Sequence, residues 1–222
     1  MKTLLRALLL VGLLLAAALA LHRPQPPAEM RGLPWQIELP GDGSSRVFDI
    51  HLGVDDVGAV LDRHGRDAQL AIIARPGEAG TLEVYYPRFQ AGPLSGRLVV
   101  SAHLPPETIE TLKRHAPRRK PQESGAVRYW LADNDLATVR AAPVTGLGFI
   151  PAAQLDEALA VARFGEPVER IAETEGVTHW LYPRLGLDLV MDQEGRELLQ
   201  YVPPRDFAAR LRAPLAALEE NR

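Results

Sequence analysis

Gly92-Pro93-Leu94-Ser95-Gly96 is the nearest approach in this chain to a serine nucleophile elbow. An elbow needs G-x-S-x-G, with the serine on a sharp strand-to-helix turn. Here the serine stands one place late, and the Gly-Pro pair marks an ordinary turn. Gly146-Leu147-Gly148-Phe149-Ile150-Pro151 opens like a dinucleotide fingerprint. Proline stands where the third glycine belongs, and no parallel βαβ pattern surrounds it, so it reads as a strand with small residues. The histidines (His22, His51, His64, His103, His115 and His179) show no i, i+4 pair that a helix would turn toward one metal. His64 ends an apolar helical stripe, the position of a core edge. Asp133-Asn134-Asp135 sets three oxygens side by side instead of at the alternate spacing of a calcium loop. That cluster suits a helix N-cap. Cysteine is absent, which removes disulfides, thiolate metal sites and a cysteine nucleophile. The expectation is a chain with no catalytic residue, no metal and no cofactor.

Two patterns suit binding. The run Lys113-Arg114-His115-Ala116-Pro117-Arg118-Arg119-Lys120 is the densest charge in the chain. Lys113, Arg114, Arg118, Arg119 and Lys120 could meet an anionic surface, or simply form a solvated helix end and loop. Tyr86-Pro87-Arg88 and Tyr182-Pro183-Arg184 are the second pattern, with Trp180 beside the latter. Tyr, Trp and Arg dominate binding hot spots, so Tyr86, Arg88, Trp180, Tyr182 and Arg184 form a candidate recognition edge. The plainer reading is a strand end and turn occurring twice. A net charge of −3 argues against nucleic acid as the partner.

The elements that would hold these residues follow from patterning. Residues 1–21 carry Lys2 and Arg6 ahead of an apolar run from Ala7 to Leu21 with Ala18-Leu19-Ala20 near its end. This is the form of a cleavable signal peptide or an amino-terminal membrane anchor, with the body outside the cytoplasm. Residues 22–34 hold Pro24, Pro26 and Pro27 and read as an extended linker. About 190 residues remain, enough for one large domain or two small ones.

Within them, landmarks recur in order. A stripe of Val57, Val60 and Leu61 ends at His64-Gly65, and one of Leu155, Leu159 and Ala162 ends at Phe164-Gly165. Each is followed by aromatic-Tyr-Pro-Arg or its equivalent, then by Gly-Arg (Gly96-Arg97; Gly195-Arg196), then by a double proline (Pro105-Pro106; Pro203-Pro204). The offsets, about 100, 96 and 98 residues, are nearly constant, as a duplication predicts. The expected fold class is α+β, two tandem copies of a strand, helix, antiparallel meander and helix, after an amino-terminal apolar helix. The first copy spans 35–115 and the second 143–222. Residues 116–142 form a connector whose extra strand, Val127 to Leu131, bridges the two. The opening strands are Arg46 to His51 and Val144 to Ile150. Each copy has three β-rich runs, the second taking Thr178–Tyr182 together with Leu187–Met191. Phe207, Leu211, Leu215 and Leu218 form a final helix that Pro214 kinks or splits, packed on its own sheet.

The second copy, with Phe164-Gly165-Glu166-Pro167, His179-Trp180-Leu181-Tyr182-Pro183 and Gly186-Leu187-Asp188-Leu189-Val190, resembles the modules of the BamE-like (SmpA/OmlA) outer-membrane assembly lipoproteins. It is also similar in plan to the tandem-module β-lactamase inhibitor proteins. The resemblance covers mainly residues 150–203. The chain lacks the lipid-bearing cysteine of the assembly lipoproteins. What the resemblance implies is a non-enzymatic binding or scaffolding module for a protein partner in the cell envelope. The competing expectation is an envelope hydrolase acting on a wall or lipid component, its site assembled from residues distant in sequence.

Overall fold

The computed structural model describes residues 32–65 and 67–220. The expected signal or anchor segment and most of the linker lie outside them. Among the described residues no helix is long and apolar enough to cross a membrane.

A small hairpin comes first, β1 (Ser45–Val47) and β2 (Ile50–Leu52), followed by α1 (Val57–His64). Then come β3 (Gln69–Ala74), β4 (Thr81–Ala91), β5 (Leu94–Ala102) and α2 (Pro106–His115). The middle holds β6 (Arg118–Pro121), β7 (Val127–Trp130), a 3-10 turn at Asp133–Asp135 and α3 (Leu136–Val139). The second half is β8 (Val144–Pro151), α4 (Glu157–Phe164), β9 (Glu169–Thr174), β10 (Val177–Tyr182), β11 (Leu187–Asp192) and β12 (Leu198–Tyr201). After a 3-10 turn at Pro204–Asp206, a π-helical stretch, Ala208–Arg212, runs into α5 (Ala213–Glu220).

β3 to β12 form one antiparallel sheet in the order β6-β7-β3-β4-β5-β8-β12-β11-β10-β9. The two expected units share this sheet, and β8 joins them by pairing with β5 on one side and β12 on the other. The strand expected to bridge them, β7, lies near the far edge between β3 and β6. Alternation identifies a strand, but its neighbour is decided by non-local pairing. After α4 the described residues hold four strands, β9 to β12, where three β-rich runs were expected, because β10 and β11 are separate antiparallel neighbours.

The span Arg46–His51 is likewise not one strand. Val47 pairs with Ile50 across a two-residue turn in which Phe48 (φ 54°) and Asp49 (φ 59°) are left-handed. Such turns match strand twist but usually use Asn or Gly. A left-handed non-glycine residue costs on the order of 1–3 kcal/mol. Here the Phe48 ring offsets that cost by lying 5.4 Å from Phe89, 5.1 Å from Phe149 and 5.9 Å from Tyr201.

Strand side chains alternate between faces, and register shows which go where. Tyr86, Leu98, Phe149, Leu199, Leu189 and Trp180 form one row across the sheet. These residues are buried together with the hairpin, α1, Ile109 and Leu112 of α2, and Ala160 of α4. Among the described residues the opposite face is covered at one end, where Phe207 and Leu215 pack on Ile171, Leu181 and Val202. The carboxyl-terminal segment thus packs on its own sheet as expected, with a π-helical turn just before Pro214. Elsewhere on this face Trp130, Tyr85, Val99, Ile150, Leu198 and Val190 remain partly exposed.

Candidate functional site

The two Tyr-Pro-Arg segments begin alike. Asp56 and Asp156 cap α1 and α4, each accepting a backbone N–H three residues on at 2.7 Å. Each helix closes on a glycine with positive φ, Gly65 at 89° and Gly165 at 79°. Tyr86 donates its hydroxyl to Gly65 O (3.2 Å) and Tyr182 to Gly165 O (3.1 Å). The preceding helix residue lays its ring on each tyrosine, His64 at 6.4 Å and Phe164 at 5.9 Å. Burial pushes both phenols up to about 12. It also lowers the His64 imidazole, which sits at the core edge.

These contacts move three residues off the expected recognition edge. Tyr86 and Tyr182 are each 4% exposed and Trp180 is 2% exposed. Side chains so enclosed fasten helix to sheet and offer a partner almost no area. Arg88 and Arg184 are exposed, but in different settings. β10 ends at Tyr182, and Pro183–Leu185 turn through a 3-10 helix into left-handed Gly186, leaving Arg184 in solvent. β4 continues instead. Its register slips between Tyr86 and Phe89, so Pro87 and Arg88 form a bulge. A bulge tolerates proline and re-aims the side chain beside it.

Arg88 consequently lines a cleft of about 650 Å³ with Arg97 of β5 and Arg196 from the β11–β12 loop. Gln90, Ser95 and Ile150 are also in its wall, and no Asp or Glu among the described residues is. Ser95, the near-elbow serine, is therefore a strand residue past the Gly92-Pro93 turn. Arg196 is fixed by donating from Nη1 to the carbonyls of Ala152 (2.5 Å) and Pro151 (3.4 Å). The Arg88 and Arg97 guanidinium groups make no hydrogen bond or ion pair among the described residues. Guanidinium groups without a counter-charge invite carboxylate or phosphate. Gly96 is required beneath the cleft, since an added Cβ would overlap Ile150 O and the Phe149 ring.

The basic run is divided between two elements. Lys113 and Arg114 end α2 and are engaged, Lys113 with Glu110 (2.7 Å) and Ala79 O (3.3 Å), Arg114 with Thr111 (3.0 Å). Arg118, Arg119 and Lys120 form edge strand β6, where a loop was expected. Charge and Pro121 on an edge strand discourage further pairing. Register places Arg118 and Lys120 on the open face beside Trp130 and Arg128. Arg118 stacks on Trp130 at 3.6 Å. Arg119 falls on the helix-covered side with Tyr129.

Two polar clusters resemble catalytic groupings. Ser44 Oγ lies 2.7 Å from His51 Nε2 and 2.5 Å from Asp42. In a hydrolase the carboxylate orients the histidine; here it bonds the serine, which is 1% exposed. The cluster braces the turn before the hairpin. His179 is held between Asp188 (Nδ1, 2.7 Å) and Glu173 (Nε2, 3.1 Å). Burial disfavours its charge, but the Asp188 hydrogen bond and the two carboxylates outweigh that and raise its pKa. When the ring is protonated both nitrogens donate, which joins β9, β10 and β11. Neither cluster was legible beforehand, because its members meet only through register and turn. Asp133–Asp135 makes no side-chain cap, and Asp135 bonds His115 at 3.2 Å.

No family model, curated protein or solved structure matches the chain.

Proposed function

We propose that this chain is a non-enzymatic cell-envelope protein that binds an acidic protein partner on the open face of its sheet. The observation that carries this reading is the Arg88–Arg97–Arg196 cleft, three cations with no acid in its wall among the described residues. It borders the partly exposed Val99, Ile150 and Leu198. Arg118 and Lys120 supply further positive charge on the same face along β6, and Arg128 beside them is balanced by Glu83. An apolar centre with a charged rim is the ordinary make-up of a protein interface, and the sign of the rim selects a negative partner.

Location rests on residues 1–21, which have the form of a signal or anchor that places the body in the periplasm. The tandem-module reading is supported by the matched Asp caps, closing glycines and tyrosine hydroxyl bonds of the two halves. A doubled module with a joined sheet enlarges a binding face without any chemistry.

Site-specific photo-crosslinking in envelope fractions tests the reading. A photo-reactive residue at Leu198, on the open face, is expected to capture one discrete acidic protein. The same group at Ala162, on exposed α4, is expected not to. Equal capture at both sites, or none at Leu198, would remove the open face as the docking surface.

A further inference from the structure

The helix-covered side of the sheet ends in a second cleft, of opposite charge and about 400 Å³. Asp156 and Glu157 reach it from the start of α4, Asp192 from the end of β11, and Glu197 from the residue before β12. Arg170 is the only cation in its wall among the described residues. It is already engaged, bonded to Glu166 (3.0 Å) and stacked on Trp180 (4.2 Å). Asp156 and Asp192 have local duties, capping α4 and receiving the N–H groups of Glu194 and Gly195.

Glu197 differs from the others. It is 5% exposed, its Oε2 is enclosed without a partner, and no hydrogen bond or ion pair reaches it among the described residues. The other buried carboxylates with an unpartnered oxygen, Asp135 and Asp188, each have a histidine. Removing a carboxylate from water costs several kcal/mol unless a counter-charge or donors replace its hydration. Among the described residues no donor compensates the enclosed Oε2 of Glu197, and the residue lies in the wall of a cleft rich in negative charge. Among the described residues no three His, Asp or Glu side chains come close enough to hold a metal ion. The cleft is therefore suited to a cation that brings its own N–H donors.

We propose that this cleft binds a protonated primary amine, whose ammonium group pairs with Glu197 while Asp156, Glu157 and Asp192 supply the surrounding negative field. A compact ammonium fits better than a planar guanidinium, because a carboxylate so enclosed admits a point donor more readily than a two-pronged fork. The amine could be a free polyamine or a lysine side chain, and the chemistry is the same.

The full chain is titrated, with binding followed by amide NMR shifts, using n-butylammonium, tetramethylammonium, spermidine and an end-blocked Ala-Lys-Ala peptide. Saturable shifts around Glu197 and Asp192 are expected with n-butylammonium. Tetramethylammonium, a cation with no N–H, is expected to bind at least about tenfold more weakly, since a hydrogen bond to a charged group is lost. Spermidine binding tighter than the peptide assigns a free polyamine, and the reverse assigns a lysine. Glu197→Gln, its fold checked by the same amide spectra, is expected to lose n-butylammonium binding by at least about tenfold. The proposal fails if n-butylammonium does not saturate, if tetramethylammonium binds equally, or if Glu197→Gln binds like the wild type. These outcomes are independent of the open face, so either proposal can fall without the other.

Discussion

Tyr86-Pro87-Arg88 and Tyr182-Pro183-Arg184 are the same tripeptide in two fates. Both tyrosines are buried to the same degree and donate to the carbonyl of a helix-closing glycine. One residue later the chains part. Pro87 enters a bulge and β4 runs on to Ala91, whereas Pro183 opens a 3-10 turn. Proline's fixed φ is compatible with both paths, so the following residues decide. Phe89 and Ala91 have core sites under β5, while Gly186 permits the left-handed exit that starts β11. The tyrosine is set by packing and the arginine by what comes after it. The bulge gives Arg88 neighbours of its own sign, and the turn gives Arg184 only water.

The largest test of that comparison is loss of the shared anchor. Tyr86→Ala and Tyr182→Ala should each cost about 3–5 kcal/mol, as large-to-small changes at buried aromatics do. Tyr→Phe at either site should cost only about 1 kcal/mol, the worth of one hydrogen bond. Urea denaturation reads all four. A near-neutral Tyr→Ala at one site would break the equivalence of the two.

Gly186→Ala comes next and acts on one half only. An alanine at φ 66° costs about 1–3 kcal/mol, and its Cβ would also overlap Val202 O. Thermal unfolding should show a clear fall in Tm. No change would mean that the 3-10 exit is not what separates the two tripeptides.

A subtler difference is that only the second half carries a histidine between two carboxylates. The folded-state pKa of His179 is raised. Its contribution to stability is thus complete below its ordinary value near 6.5 and is lost as pH rises through the folded value. Burial raises Asp188 as well, which also costs stability as pH rises, from a lower starting pH. Tm should decline as pH rises past the ordinary imidazole value near 6.5, and His179→Gln should flatten that decline. An unchanged slope in the variant would assign the decline elsewhere.

Much of this frame was readable in the chain. Asp156 ahead of an apolar stripe and Gly165 after it mark α4, because caps are local signals. The α+β class and the antiparallel strands follow from alternation. The Phe48-Asp49 turn was hidden because its left-handed pair is imposed by an aromatic cluster drawn from β4, β8 and β12, not by local Gly or Asn. Tyr86 and Tyr182 misled because tyrosine serves a buried hydrogen bond as readily as an interface. Of the expected recognition residues Arg88 alone joins the basic cleft, and its companions, Arg97 on the next strand and Arg196 in the other half of the chain, meet it only through strand register.

Charge reversal offers the smallest effect on stability and the sharpest contrast in function. Arg88→Glu with Arg97→Glu, and Arg184→Glu alone, should all unfold within about 0.5 kcal/mol of the wild type, as surface substitutions do. Capture of the partner from envelope fractions, at low and at raised salt, is the measurement that bears most directly on the open face as an acid-binding surface. The Arg88/Arg97 variant is expected to lose the partner and Arg184→Glu to keep it, and salt is expected to weaken wild-type capture. Retention by the Arg88/Arg97 variant, or equal loss in both, would contradict it.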